Sequence, residues 1–229
     1  MKVFALIPVY NPPPVFYKLL FSICESKSID YVVVVDDGCS VPIDRELIKK
    51  SYTHYKLNIL RQPKNSGKGS SLKKGMKYIK KHTGTNDLVI NIDADGQHLL
   101  KDAEKIINMV KEKLDINVAF GVRNFDSGSV PFRSALGNKI TTKLLNLKYN
   151  TNLSDTQTGL RAFKTRLIKS LCLLEGERYE YEANMIKYFL KNNIKIYEVK
   201  ISTLYFKNNE GSYFKPVLDS IKVYTQLFF

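Results

Sequence analysis

The chain reads as a single α/β domain, a doubly wound and mostly parallel sheet with helices on both faces. Three observations predict this. Apolar runs such as "KVFALIPV", "YVVVVDD" and "DLVINID" are continuous rather than alternating, as in strands covered on both sides. They are separated by helical patterns and short loops, which is βα repetition. A length of 229 residues, 44% apolar and 25% charged, suits a globular domain, and no linker rich in Gly, Ser or Pro divides it.

The elements follow in order. "KVFALIPV" predicts a strand and Pro12 to Pro14 the entry to a helix. "YVVVVDD" predicts a strand, followed by a helix from about Ile43. "LNILRQ" is a strand with a helix after Lys68, "DLVINID" a strand with a helix from about Leu100, and "INVAFGV" a strand. From Phe132 the pattern changes to a long helix over 134–149, a polar loop "NTNLSDTQTG", a short strand "LRAFK", a helix over 181–191 and a strand "IKIYEVKIS". In the last segment, 213–229, Phe214, Val217, Leu218, Ile221, Tyr224 and Phe228 fall on one helical stripe. That stripe fits a core helix, an amphipathic helix in a membrane interface, or an oligomer contact.

Charge narrows the partners. Thirty-six basic against 22 acidic residues give +14, a field that attracts nucleic acid, anionic membrane or phosphorylated small molecules. No signature of an RRM, KH or helix-turn-helix module is present, so no nucleic acid partner is expected. Cys24, Cys39 and Cys172 are widely spaced and outside any zinc or CxxC pattern, as expected of structural thiols in a reducing compartment. With no apolar run long enough to span a bilayer and no signal-peptide pattern, a cytoplasmic location is expected.

Chemistry concentrates at strand ends. "LVINIDADGQH" closes an apolar run with Asp93, Asp95, Gln97 and His98. Side chains leaving a parallel sheet arrive at its carboxyl edge, where such folds place ligands. Hard oxygen donors two residues apart suit Mg²⁺ or Mn²⁺, which completes its shell with water and substrate phosphate; a simple Asp-Gly turn with solvated neighbours fits the same residues. "VVVVDDG" brings Asp36 and Asp37 to a second strand end, and "IPVYN" brings Tyr10 and Asn11 to the first. "NSGKGSSLKKG" places Gly67 and Gly69 around Lys68 before a helix, an arrangement suited to phosphate. It is not a P-loop, because Gln62 stands where the first glycine is required and Gly69 follows the lysine.

In order along almost the whole chain, "IPVYN", "VVVVDDG", "NSGKG", "NIDADGQH", "GVRN", "PFRSALGN", "DTQTGLRAF" and "ERYEYEANMI" resemble the family 2 glycosyltransferases of GT-A fold, in the branch of dolichyl-phosphate mannosyltransferase and bacterial polyprenyl-phosphate glycosyltransferases. The resemblance implies a nucleotide-binding half over 1–125 and an acceptor-side half over 126–212. It implies that Pro8, Tyr10, Asn11, Asp36 and Asp37 border the nucleotide, with Lys68 and Ala94 near the nucleotide-sugar. Asp93, Asp95 and Gln97 would hold Mg²⁺ or Mn²⁺ on the diphosphate. Arg123, Arg133 and Arg161 would handle phosphate, and Asp155 would face the acceptor. The chain departs from the family at Pro12-Pro13, where an acidic residue is common.

The implied reaction moves sugar from a nucleoside-diphosphate donor to polyprenyl phosphate, or to a saccharide hydroxyl, in one inverting displacement. A hydroxyl acceptor needs a carboxylate base such as Asp155, whereas a phosphate is already ionised and leaves Asp155 an orienting role. Peripheral contact with the inner face of the cell membrane fits the basic charge. Glu180 and Glu182 sit where a helix start favours carboxylates on electrostatic grounds alone. A non-catalytic polyanion-binding protein is the alternative of another class.

Overall fold

The computed structural model describes residues 1–46, 48, 56–123 and 132–202, with the side chains of 132–137 excepted. The strands are β1 (Val3–Val9), β2 (Tyr31–Asp36), β3 (Leu57–Arg61), β4 (Leu88–Asn91), β5 (Val118–Arg123), β6 (Arg161–Lys164) and β7 (Ile196–Ile201). The helices are α1 (Val15–Glu25), α2 (Lys68–Lys80), α3 (Leu100–Glu112), α4 (Phe132–Tyr149), α5 (Ile168–Cys172) and α6 (Glu180–Lys191). One seven-stranded sheet of order β3-β2-β1-β4-β6-β5-β7 runs through both halves of the chain.

β1 shows why the apolar runs are continuous. Val3, Ala5, Ile7 and Val9 face one core layer, with Ile23 of α1 and Ile106 and Ile107 of α3. Phe4 and Leu6 face the opposite layer, with Leu72 and Met76 of α2 and Phe189 of α6. Each strand residue is therefore buried whichever way it points. α2 lies so close over β1 that a Cβ at Gly75 would come within 2.2 Å of the Leu6 side chain, which explains a glycine in mid-helix.

The strands expected from sequence are all present. Two features were not expected. β6 pairs antiparallel with both β4 and β5 and is the single reversed strand among the seven. A 3-10 turn over Thr165–Leu167 followed by α5 fills what reads in sequence as connection. The long helix begins at Phe132 rather than Ser134 and ends at Tyr149 as expected. Most of the expected helix from about Ile43, and the whole C-terminal stripe, lie outside the described residues.

The register aligns the carboxyl ends that matter. Val9 pairs with Asp36 across β1 and β2, and Leu6 with Asn91 across β1 and β4. Tyr10 and Asn11, Asp36 and Asp37, and Asp93 to His98 consequently emerge along one edge.

Candidate active site

The first two strand ends are braced by each other. Asn11 adopts a left-handed conformation, with φ of 42°, tolerated by asparagine. Its carboxamide oxygen accepts the Ser40 N–H at 2.8 Å, and its own N–H approaches Cys39 Sγ at 3.1 Å. The buried Asp36 carboxylate accepts from Arg61 at 2.8 Å and from the Cys39 N–H at 2.8 Å. Asp37, also buried, accepts from Gln62 at 2.7 Å, from the Ser66 N–H at 2.9 Å and from the Gly67 N–H at 2.8 Å. Asp36 and Asp37 thus shape the loops around the crevice, and Asp37 holds the turn from which Lys68 departs. Pro8 is buried within β1, paired with Val35, while Tyr10 and Asn11 are partly exposed beyond its end.

At the centre, Lys68 opens α2 behind Gly67, whose φ of 102° only glycine adopts readily. Its ammonium bridges Asp93 at 2.7 Å and Glu182 at 2.8 Å, linking β4's exit to α6. His98 Nε2 lies 3.8 Å from the other Asp93 oxygen, and its buried Nδ1 has no hydrogen-bond partner among the described residues. Burial disfavours the Asp93 carboxylate, but Lys68 and then His98 outweigh it and hold the pKa well below the usual range. For Lys68, burial likewise disfavours the charge, and Asp93 with Glu182 reverse the sign to a raised pKa. Asp95 goes the other way: burial, reinforced by Asp93, raises its pKa, and the Gln97 N–H at 2.9 Å offsets part of that. Ala94, between the acids, packs on the core.

Gly159 of the "DTQTG" loop faces this cluster, and a Cβ there would come within 2.0 Å of Asp93 Oδ2. Two carboxylates, one of them with its proton affinity raised by the other, form a donor set whose repulsion a divalent cation relieves, so Asp93, Asp95 and Gln97 fit Mg²⁺ or Mn²⁺ chemically. Among the described residues no three His, Cys, Asp or Glu side chains converge as a ready-made metal cage.

The acceptor-side acid is clamped. Arg123, ending β5, grips Asp155 with a two-pronged contact at 2.7 and 2.9 Å, and the N–H groups of Arg123 and Gln157 donate to the same carboxylate at 3.2 and 3.0 Å. Asp155 is 0% exposed. Arg161, expected to contact phosphate, is instead 2% exposed, and its guanidinium donates to the carbonyls of Thr158 at 2.8 Å, Glu182 at 2.7 Å and Thr156 at 3.2 Å. It knits the loop to α6 and lies 4.8 Å from the Phe120 ring centre. Arg133 belongs to α4, but its side chain lies outside the described residues.

Four participants are not evident from sequence. Glu182 reads as an ordinary helix-start carboxylate, although its place two residues after Glu180 in "EYE" marks it. Gly159 carries no chemistry of its own. Asn138 and Thr142 on α4 grip Thr156, with Thr142 Oγ1 2.9 Å from Thr156 Oγ1, and so fix the loop bearing Asp155.

This mostly parallel sheet, with acids gathered at the carboxyl ends of its strands, is the architecture of the GT-A fold. The chain belongs to glycosyl transferase family 2, whose model matches residues 4–172. It is 26% identical to a UDP-N-acetylglucosamine–dolichyl-phosphate N-acetylglucosaminyltransferase of Methanococcus voltae, over 89% of this chain and 86% of that protein. It is 27% identical to a dolichol-phosphate mannosyltransferase of Pyrococcus furiosus, over 75% of this chain and 48% of that protein. In fold it is similar to glucosyl-3-phosphoglycerate synthase of Mycobacterium tuberculosis, solved with Mn²⁺, UDP-glucose and phosphoglyceric acid; the TM-score is 0.72 at 16% identity, covering 99% of this chain and 78% of that one. No described helix is long and apolar enough to cross a membrane.

Proposed function

We propose that the protein is an inverting, Mg²⁺- or Mn²⁺-dependent glycosyltransferase that moves a sugar from a nucleoside-diphosphate donor to polyprenyl phosphate, working in peripheral contact with the inner face of the cell membrane. The observation that carries the choice of acceptor is the clamped Asp155. A general base must offer an oxygen to the acceptor proton, whereas both Asp155 oxygens already accept from Arg123 inside the protein. A phosphate acceptor brings its own ionised oxygen and needs no base. The relatives that act on dolichyl phosphate support the same reading.

In this account Tyr10 and Asn11 stand at the mouth on the nucleotide side, with Pro8, Asp36 and Asp37 setting the strand ends and loops beneath them. Asp93, Asp95 and Gln97 would hold the divalent ion, which when bound supplies positive charge where diphosphate leaves the sugar. Lys68 adds a second cation beside Asp93 and Ala94. Arg123 and Arg133 bring positive charge toward the acceptor phosphate, Asp155 fixes Arg123, and Arg161 positions the loop between them. A saccharide hydroxyl is the second reading, and it would require Asp155 to leave Arg123 and take a proton.

Calorimetric titration of UDP, GDP, dTDP and CDP, with and without Mn²⁺, tests the donor side. Tight binding of one diphosphate that requires the ion and is lost in Asp95→Asn is expected; equal binding by Asp95→Asn would overturn the assignment of the ion to the strand-end acids.

A further inference from the structure

The loop that carries Asp155 is anchored at almost every residue. Asn146 of α4 exchanges hydrogen bonds of 2.8 and 2.9 Å with the backbone of Leu153. Glu198 of β7 accepts twice from Ser154, from its N–H at 2.7 Å and from its hydroxyl at 2.8 Å. Asp155 is clamped by Arg123, Asn138 accepts the Thr156 N–H at 3.2 Å, and the Thr158 hydroxyl accepts the Leu160 N–H at 3.3 Å. Along 153–160 the exposed residues are Ser154 and Gln157. The Ser154 hydroxyl is engaged by Glu198, whereas the Gln157 carboxamide makes no hydrogen bond to any described residue. Its direction follows from its neighbours. The carbonyls of Thr156 and Thr158 turn inward to the Arg161 guanidinium, and the Gln157 N–H turns to the buried Asp155, so the side chain leaves the opposite way. Because β6 runs against β4 and β5, the loop that enters it stands at the carboxyl edge of the parallel strands. Gln157 is there two residues from Asp155 on the acceptor side and two from Gly159, which abuts Asp93.

We propose that Gln157 is a specificity-determining residue that reads a ring hydroxyl of the transferred sugar. A sugar passing from a diphosphate at the strand-end acids to an acceptor beside Arg123 crosses between Asp93 and Asp155, and Gln157 stands over that path. Its carboxamide offers two N–H donors and a carbonyl acceptor, the complement of a sugar hydroxyl, which both donates and accepts. Glu198, Asn138, Arg123 and Arg161 fix the backbone on either side of it, so the carboxamide meets the sugar with little loop ordering left to do. The inference rests on the reading that a nucleotide sugar binds at the strand-end acids, and it is independent of which acceptor follows.

The test crosses the residue with the substrate. Parent and Gln157→Ala are compared with UDP-glucose, UDP-N-acetylglucosamine and GDP-mannose, and then with the monodeoxy analogues of whichever sugar the parent transfers fastest. Gln157→Ala is expected to lose roughly five- to tenfold in kcat/KM with the intact sugar, the size of one neutral hydrogen bond. It should keep the parent's melting temperature and its affinity for the nucleoside diphosphate, because the side chain is exposed and touches neither the core nor the strand-end acids. One deoxy analogue should be transferred equally by parent and variant, and that analogue names the hydroxyl. No loss with the intact sugar, or the same loss with every analogue, would overturn the proposal. So would a loss confined to the KM of the acceptor, since the side chain would then face the acceptor. Transfer by the parent to a saccharide hydroxyl in place of polyprenyl phosphate would remove the acceptor reading and leave the comparison intact on that acceptor. A parent that transfers from none of the three nucleotide sugars would remove the donor reading and this inference together.

Discussion

Gly159→Ala is the smallest change that reaches the centre of the site. The added Cβ falls 2.0 Å from Asp93 Oδ2 and 2.5 Å from its Cγ, where ordinary contact begins at 3.4 Å. One of the two groups must therefore move by about 1.4 Å, half the length of the 2.7 Å pair between Asp93 and Lys68. Asp93 has little room to yield, with Lys68 on one oxygen and His98 3.8 Å from the other. Overpacking of this kind costs about 1–3 kcal/mol of stability, and a displacement near 1 Å at reacting groups costs about a hundredfold in rate. Thermal unfolding and kcat/KM for transfer to a polyprenyl phosphate measure the two effects. Gly84→Ala is the control, because its Cβ meets only Asp87 at 3.8 Å, and it should leave both unchanged. Full activity in Gly159→Ala would refute the close approach of this loop to Asp93.

Other outcomes follow from the same geometry. Arg123→Ala leaves the buried Asp155 carboxylate without its cation and should lower stability in urea by about 3–5 kcal/mol, with partial recovery when Asp155→Ala is added; strict additivity of the two would contradict the coupling. Burial pushes the Cys24 and Cys39 thiols up to about 11, so at pH 8 about one in a thousand of each is thiolate, and intact mass should show slow iodoacetamide labelling in the folded protein against rapid labelling in urea. For Asp87, burial opposes ionisation but the Lys2 N–H, Thr83 and the Gly84 N–H outweigh it and lower the pKa. Its contribution is therefore complete above the unfolded carboxylate value, about 3.9, and fades as the pH falls through the lower folded value. The stability gap between the parent and Asp87→Asn should be widest above about pH 5 and close toward pH 2, and a gap that widens in acid would contradict this.

Much of the fold was legible because burial on both sides of the sheet leaves an unbroken apolar signature, as in Val32 to Val35. β6 was not legible as a reversed strand, since "RAFK" pairs equally well by side chain in either direction and its sense is set by the long excursion through α4. The site acids were legible because Asp93 and Asp95 interrupt an apolar run at a strand end. The roles within the site were less so. Arg161 looks like a phosphate ligand by type and spacing, yet the chain folds three carbonyls around it, and residue type does not encode which partner arrives first. Glu182 was hidden for the opposite reason, because a carboxylate at a helix start already has a sufficient local explanation. Gly159 matters only through the space it leaves, which appears once the loop and β4 are brought together.

Transfer to a short polyprenyl phosphate, compared side by side with the matching polyprenol and a saccharide acceptor, tests the central claim most directly. The nucleotide sugar would be the one whose diphosphate binds, supplied with Mn²⁺, and the product's anomeric configuration would be read by NMR. The account predicts transfer to the phosphate alone, with configuration opposite to the donor. Transfer to the saccharide hydroxyl with none to the lipid phosphate, or retention at the anomeric carbon, would contradict it.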